Sequence, residues 1–149
     1  MSSTESTQLN GIELDLLEVV PLLNKRLIRM AEVRECLDMP LSHMQVLSAL
    51  AREGDMSVTE ISKRFGIAKP NITPLIDHLT DAGWVQRTKN NRDRRVVNVT
   101  ILPEGREKVE RALEAMRERV AKWKNGLTEE EFTELQQALK SVVRILGKL

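Results

Sequence analysis

The chain has 149 residues, of which 41% are apolar and 30% charged, and its formal net charge is +1. A chain of this length can bury a sizeable core without disulfides or metal ions, and its single cysteine, Cys36, excludes an internal disulfide and a cysteine-based zinc site. No apolar run approaches the roughly 20 residues that cross a bilayer, and the polar opening MSSTESTQLNG does not resemble a signal peptide. We therefore expect a cytoplasmic protein that does not associate with membranes.

The near-zero net charge conceals an uneven distribution along the chain. Residues 57–100 carry eight Lys/Arg against four Asp/Glu, whereas residues 1–56 carry five against nine. A basic central segment is typical either of a solvated basic surface or of a surface that faces a polyanion such as nucleic acid.

The amino-terminal part divides into a tail and a long helix. We expect residues 1–11 to be a flexible tail. Apolar residues then recur in steps of three and four from Ile12 to Met30, which predicts one long helix. Pro21 lies inside this helix, and the sequence allows either a kink there or a regular helix that begins there.

Two capping-box signatures predict the starts of the next two helices. Ser42 with Gln45 marks the first, which Gly54 closes, and Ser57 with Glu60 marks a short second one. Both precede apolar residues at helical spacing, so we expect each helix to bury one face.

The stretch KPNITPLIDHL predicts a further helix, from about residue 69 to residue 82. Apolar residues from Ile72 to Leu79 fall at i, i+3, i+4 and i+7. Helical phase places Pro70 and Pro74 on the opposite, outward face. Pro70 lies near the first helical position, where a missing N–H costs little, whereas Pro74 removes one early helical hydrogen bond and should loosen or bend the first turn. Together with the short helix before it, this segment predicts a helix-turn-helix.

After Gly83 the apolar period changes from 3.6 to 2. The runs WVQRTK and RVVNVTI alternate apolar and polar residues on either side of the turn-prone NNRD, which predicts a β-hairpin with a basic tip. A hairpin directly after a helix-turn-helix indicates a winged helix. We therefore predict a mainly α fold with a small β-hairpin wing, in which residues 37–103 form a winged helix-turn-helix DNA-binding domain.

The flanking segments, residues 12–36 and 104–149, are predicted to be dimerisation helices. Their apolar residues form narrow seams of the kind that a second helix must cover, although a monomer whose terminal helices pack on each other is the alternative. We assign the following residues to the dimer contact: Leu16, Leu23, Val120, Trp123, Phe132, Leu135, Leu139, Val142 and Leu146.

Two groups of side chains are candidates for DNA contact. The predicted recognition helix offers Lys69, Pro70, Asn71, Thr73, Pro74, Asp77 and His78, and the predicted wing offers Arg87, Lys89, Arg92, Asp93, Arg94 and Arg95. Polar side chains on a helix reach base edges and phosphates, and guanidinium groups on a narrow ribbon suit the negative potential of a minor groove. Asp93 is placed to pair with a neighbouring arginine and orient it.

These segments resemble the MarR-type winged-helix regulators of bacteria and archaea. The similarity runs from about residue 12 to residue 147, and its most specific part is the wing NRDRRVVNVTILPEG, where Asp93 and Arg95 match the family's Asp-x-Arg pattern. The resemblance implies that Arg95 enters the minor groove with Asp93 positioning it, that the helix from Lys69 lies in the major groove, and that the long terminal helices dimerise. His78 stands where the family often has Lys or Arg, and Leu102 where it usually has a capping threonine.

We accordingly expect a homodimeric, sequence-specific transcriptional regulator, a repressor on a pseudo-palindromic operator that a small lipophilic or aromatic effector relieves. The alternatives are a protein-interaction module without DNA readout and a thiol-based redox sensor that uses Cys36. No nucleophile–base pair, paired-carboxylate pattern or glycine-rich phosphate loop points to an enzyme. His43 and His78 are too few and too distant in sequence to form a metal motif, so we expect neither a metal nor a cofactor.

Overall fold

The computed structural model describes residues 3–27, 35 and 37–148. The chain divides into two compact units, Met1–Ala112 and Leu113–Leu149, which are described separately. In chain order the elements are α1 (Ser3–Leu22), a short π-helix (Leu23–Leu27), α2 (Leu41–Glu53), β1 (Met56–Ser57), α3 (Val58–Phe65), α4 (Lys69–Asp81), β2 (Val85–Lys89), β3 (Val97–Ile101), α5 (Pro103–Lys124) and α6 (Glu129–Leu146). The predicted fold class, mainly helical with a small β-wing, is confirmed. Cys36 and Met30 lie outside the described residues.

One hydrophobic core joins the helices of the winged domain to its sheet. Its completely buried side chains come from α2, α3, α4, β2 and β3: Val46, Leu47, Leu50, Ile61, Ile76, Leu79, Val85 and Val99. Full burial of each such side chain contributes about 1.5–3 kcal/mol relative to exposure. Met44 is also buried in this core, so its side chain contributes to core packing. The core fixes which face of α4 remains outside.

The predicted capping box of Ser57 and Glu60 is present. At the start of α3 the Ser57 N–H donates to Glu60 Oε2 (2.7 Å) and the Glu60 N–H donates to Ser57 Oγ (3.1 Å). Thr128 and Glu131 make the same reciprocal pair at the start of α6. Each box satisfies two backbone donors that the first helical turn leaves without partners.

The predicted box of Ser42 and Gln45 is wrong. Helix α2 begins at Leu41, two residues earlier than this box requires, with Pro40 as its N-cap and no side-chain cap. The backbone N–H groups of His43 and Met44 donate to the Pro40 carbonyl (3.1 and 3.3 Å). Ser42 is therefore already inside the first turn, where its hydroxyl lies 3.3 Å from His43 Nδ1.

The amino-terminal helix also differs from the prediction. It begins at Ser3, so most of the stretch that we expected to be a tail is helical, and it continues through Pro21 to Leu22. The alternative in which a regular helix begins at Pro21 is therefore wrong. A π-helical segment, Leu23–Leu27, follows directly.

The sheet has three strands in the order β1-β3-β2, all antiparallel. The β2–β3 hairpin is the predicted wing, and its register pairs Val85 with Ile101 and Lys89 with Val97. Strand β1, which pairs Met56 with Val99, was not predicted because two residues cannot display a period of two.

The junction between the sheet and α5 is unusually close. A Cβ placed on Gly105 would lie 2.3 Å from the Trp84 carbonyl oxygen and 2.9 Å from Ile101 Cγ1. The same carbonyl accepts a hydrogen bond from the Leu102 N–H (2.8 Å). Only glycine allows the first turn of α5 to pack this tightly against the start of β2. Among the described helices, none is long and apolar enough to cross a membrane.

Candidate nucleic-acid interface

Helix α4 presents all seven predicted contact residues to solvent. Its inner face buries Ile72, Leu75, Ile76 and Leu79, whereas Lys69, Pro70, Asn71, Thr73, Pro74, Asp77 and His78 are exposed. The two prolines lie on the outward face, as helical phase predicted. The outer surface of α4 is therefore a continuous strip of polar side chains and proline rings.

The start of α4 is held by the backbone and not by a capping side chain. Ala68 is the N-cap in an extended conformation, and its carbonyl accepts hydrogen bonds from the N–H groups of Asn71 (2.8 Å) and Ile72 (3.1 Å). Pro70 occupies the first turn, where a backbone donor would have no helical partner. The side chains of Lys69 and Asn71 therefore take no part in capping the helix.

The wing tip is organised by two side chains that bind nearby backbone. Asn90 Oδ1 accepts from the N–H of Arg92 (2.8 Å) and of Asp93 (3.3 Å), and the Asp93 carboxylate accepts from the Arg95 N–H (3.0 Å). Such Asx-type turns fix the loop without a regular ladder. The tip therefore has a defined shape, although many of its side chains are exposed.

Asp93 also holds the side chain of Arg95. Arg95 Nε lies 3.2 Å from Asp93 Oδ1, while the Arg95 side chain remains 92% exposed. The hydrogen bond from the Arg95 backbone, followed by that from its guanidinium, lowers the pKa of Asp93 from its ordinary value. The carboxylate thus stays ionised and directs an otherwise solvent-exposed guanidinium.

A second ion pair joins the wing to α4. Arg87 Nη2 on β2 lies 2.6 Å from Asp77 Oδ1 on α4, with side chains 34% and 51% exposed. A cleft of about 530 Å³ lies beside this pair, lined by Ser57, Val58, Thr59, Thr73, Asp77, Arg87, Arg95, Val96 and Val97. Helix α4 and the wing therefore share one concave surface, with guanidinium and hydroxyl groups along it.

Sequence reasoning missed a row of ring contacts that links α2, α4 and Trp84 through His43 and His78. The rings of His43 and His78 are 4.9 Å apart, edge to face, and His78 is 6.2 Å from Trp84. Lys108 Nζ lies 5.3 Å from the centroid of the Trp84 ring and 3.4 Å from Asp38 Oδ2. Burial, followed by repulsion from His78, lowers the pKa of His43. Within residues 3–27, 35 and 37–148, no group of three His, Cys, Asp or Glu side chains could hold a metal ion.

The residues assigned to dimerisation lie on incompletely buried surfaces. In the first unit, α1 exposes Ile12, Leu14, Leu16, Leu17, Val19, Val20 and Leu22, and Leu23 is half-buried. In the second unit, α6 buries none of its residues. Leu139, Val142 and Leu146 are exposed, and Val120, Trp123, Phe132 and Leu135 are half-buried.

Comparison with known proteins matches most of the predicted winged domain, residues 37–103. A model of the MarR family matches residues 37–96. The transcriptional repressor MdtR of Bacillus subtilis is 33% identical over 87 residues, which cover 58% of this chain and 56% of MdtR. The repressor IacR of Pseudomonas putida is 29% identical over 113 residues, covering 76% of this chain and 68% of IacR.

Solved structures share the fold over nearly the whole chain. YusO from Bacillus subtilis has a TM-score of 0.67 at 25% identity, covering 95% of this chain and 99% of that one. A MarR family protein from Bacillus stearothermophilus has a TM-score of 0.75 at 21% identity, covering 95% and 96%. The chain spans about half to three fifths of the length of the first three curated relatives that it matches.

Proposed function

We propose that the chain is a MarR-type winged helix-turn-helix protein and acts as a homodimeric, sequence-specific DNA-binding regulator of transcription; the match of a MarR family model to residues 37–96 supports this assignment. The observation that carries this proposal is the strip of seven exposed side chains on α4 beside an exposed basic wing. The relatives named above are transcriptional repressors, which supports repression by occlusion of a promoter.

In the proposed complex α4 lies in the major groove. Lys69, at the start of the helix, contacts phosphate, and Asn71 and Thr73 reach base edges or phosphates from its exposed face. Pro70 and Pro74 offer apolar rings that suit a thymine methyl group. Asp77 and His78 lie further along the same exposed face. In this proposal the base-specific contacts come from the amino-terminal half of the helix.

The wing supplies the second contact, in the flanking minor groove. Arg95 extends from the tip with its orientation set by Asp93, and a guanidinium group suits the concentrated negative potential of a narrow A·T-rich groove. Lys89, Arg92 and Arg94 contact the phosphates on either side, which contributes affinity without sequence preference.

Dimerisation through the exposed apolar faces of α1 and α6 would give the complex two DNA-contacting surfaces, each formed by one α4 and one wing. Contiguous exposed apolar side chains on a soluble chain mark interaction sites, and both helices carry them. A two-fold dimer matches a pseudo-palindromic operator whose half-sites lie about 34–36 Å apart. Each subunit then contributes one α4 and one wing.

We further propose that a small lipophilic or aromatic effector relieves repression. Its support is an exposed apolar patch on α1, formed by Leu16, Leu17, Val20 and Pro21 beside Glu13. A thermal-shift screen with phenolic and lipophilic acids tests this point, because a ligand that binds only the folded chain raises its melting temperature. A screen in which no compound raised that temperature would oppose it.

The proposed DNA contact is tested by removing the exposed wing guanidinium. A duplex is first selected from random DNA with the purified protein, and the affinities of wild type and Arg95→Ala are then compared. We expect weaker binding and a salt slope smaller by about 1. Arg111→Ala is the control, because it removes the same charge from α5, where the side chain is 80% exposed. Equal affinity of Arg95→Ala and wild type would refute the role assigned to the wing.

A further inference from the structure

The ion pair between Asp77 and Arg87 connects the two parts of the proposed interface. Asp77 lies on the outward face of α4, and Arg87 is the middle residue of β2, opposite the buried Val99 of β3. Because β2 forms one side of the wing hairpin, a contact from its middle to α4 limits how far the wing can pivot relative to the helix.

The geometry points to Asp77 and Arg87 as positioning residues, which hold the wing at a fixed angle to the recognition helix so that both can engage DNA together. This inference rests on the proposed DNA-binding function. The 2.6 Å separation between Arg87 Nη2 and Asp77 Oδ1 is that of a close ion pair. The pair also forms part of the wall of the cleft that contains Thr73 of α4 and Arg95 of the wing. A displacement of the wing would therefore change the spacing between groups assigned to neighbouring grooves.

The negative charge of Asp77 makes a positioning role and simple electrostatics predict opposite effects on DNA affinity. A carboxylate on the face that approaches phosphates opposes DNA binding by simple electrostatics, so its removal should leave affinity unchanged or increase it. A positioning role predicts the opposite sign, because Asp77→Asn weakens the link to Arg87 and releases the wing. We expect the affinity of Asp77→Asn for the selected duplex to fall about tenfold, which corresponds to about 1.4 kcal/mol.

The role of Arg87 is tested by a double-mutant cycle with Asp77. A single variant is not enough, because direct phosphate contact and positioning both predict that Arg87→Gln binds DNA more weakly. If Arg87 acts through Asp77, Arg87→Gln should cost little more once Asp77 is already Asn. If Arg87 contacts phosphate independently, its replacement should cost the same in both backgrounds. Equal costs would overturn the positioning role of Arg87.

The experiment measures duplex affinity for wild type, Asp77→Asn, Arg87→Gln and the double variant, after thermal melting has shown that each is folded. Asp81→Asn is the matched control, since it removes the same charge from the exposed end of α4, and it should bind as well as wild type or slightly better. Hydroxyl-radical footprinting adds a readout of placement: Asp77→Asn should lose protection at the minor-groove flanks and retain it at the centre of each half-site.

The possible outcomes distinguish a failure of the proposed DNA-binding function from a failure of the positioning role. If wild type selects no duplex, the proposed function itself fails. If wild type binds and Asp77→Asn binds as tightly or more tightly with an unchanged footprint, DNA binding stands and the positioning role is overturned.

Discussion

The close packing at Gly105 gives the most quantitative stability prediction. In Gly105→Ala the new Cβ would lie 2.3 Å from the Trp84 carbonyl oxygen, so either α5 or the start of β2 must move. Overpacking costs about 1–3 kcal/mol, and loss of the Leu102 hydrogen bond to the same carbonyl costs about 0.5–1.5 kcal/mol. Alanine recovers about 1 kcal/mol of helix propensity. We therefore expect the free energy of unfolding to fall by about 2 kcal/mol.

The assay is urea unfolding followed by far-ultraviolet circular dichroism, with protein concentration held fixed because the proposed dimerisation would contribute to apparent stability. Gly11→Ala is the control, because Gly11 lies within helix α1 with nothing within 4 Å of the added Cβ. That variant should be neutral or slightly stabilising. If Gly105→Ala unfolded at the same urea concentration as wild type, the described junction between α5 and β2 would be wrong.

Three further predictions concern a helix cap, a histidine and the dimer. Ser57→Ala removes the hydroxyl that accepts from the Glu60 N–H, so unfolding free energy in the same assay should fall by about 1 kcal/mol and Ser57→Thr should recover most of it. Burial and His78 lower the pKa of His43, so the unfolded chain binds this proton more readily; stability should decrease as the pH falls below about 6.5, and urea titrations of His43→Gln should show a flatter pH dependence. Val142→Asp places a charge on the exposed apolar face of α6 and should shift sedimentation from dimer to monomer, whereas an unchanged dimer would exclude that face from the interface.

The sequence predicted the elements whose signals are local and periodic. The apolar spacing of α4 determines both its inner face and the outward position of Pro70 and Pro74, because the helical period alone sets the phase. The capping box of Ser57 and Glu60 located a helix start to the residue. Alternation in the two strands located the wing, since half-buried strands have a period of two.

Features that depend on tertiary contact were missed. His43 meets His78, and Asp77 meets Arg87, only because the core brings α2, α4 and β2 together, and a single sequence contains no signal for such pairs. The false box at Ser42 shows the converse, because its spacing is correct but the Pro40 carbonyl already accepts the first helical hydrogen bonds. Strand β1 exists through its pairing with β3 and has no pattern of its own.

The central claim is that α4 and the wing bind DNA phosphates and bases, and the salt dependence of binding tests it most directly. The dissociation constant of wild type for its selected duplex should be measured by fluorescence anisotropy across a series of salt concentrations, beside a scrambled duplex of equal length. Each neutralised phosphate contributes about 0.9 to the slope of log affinity against log salt. We predict a steep negative slope on both duplexes and a higher affinity for the selected one. No binding to either duplex, or binding without a salt slope, would contradict the account and favour a winged helix that binds other proteins.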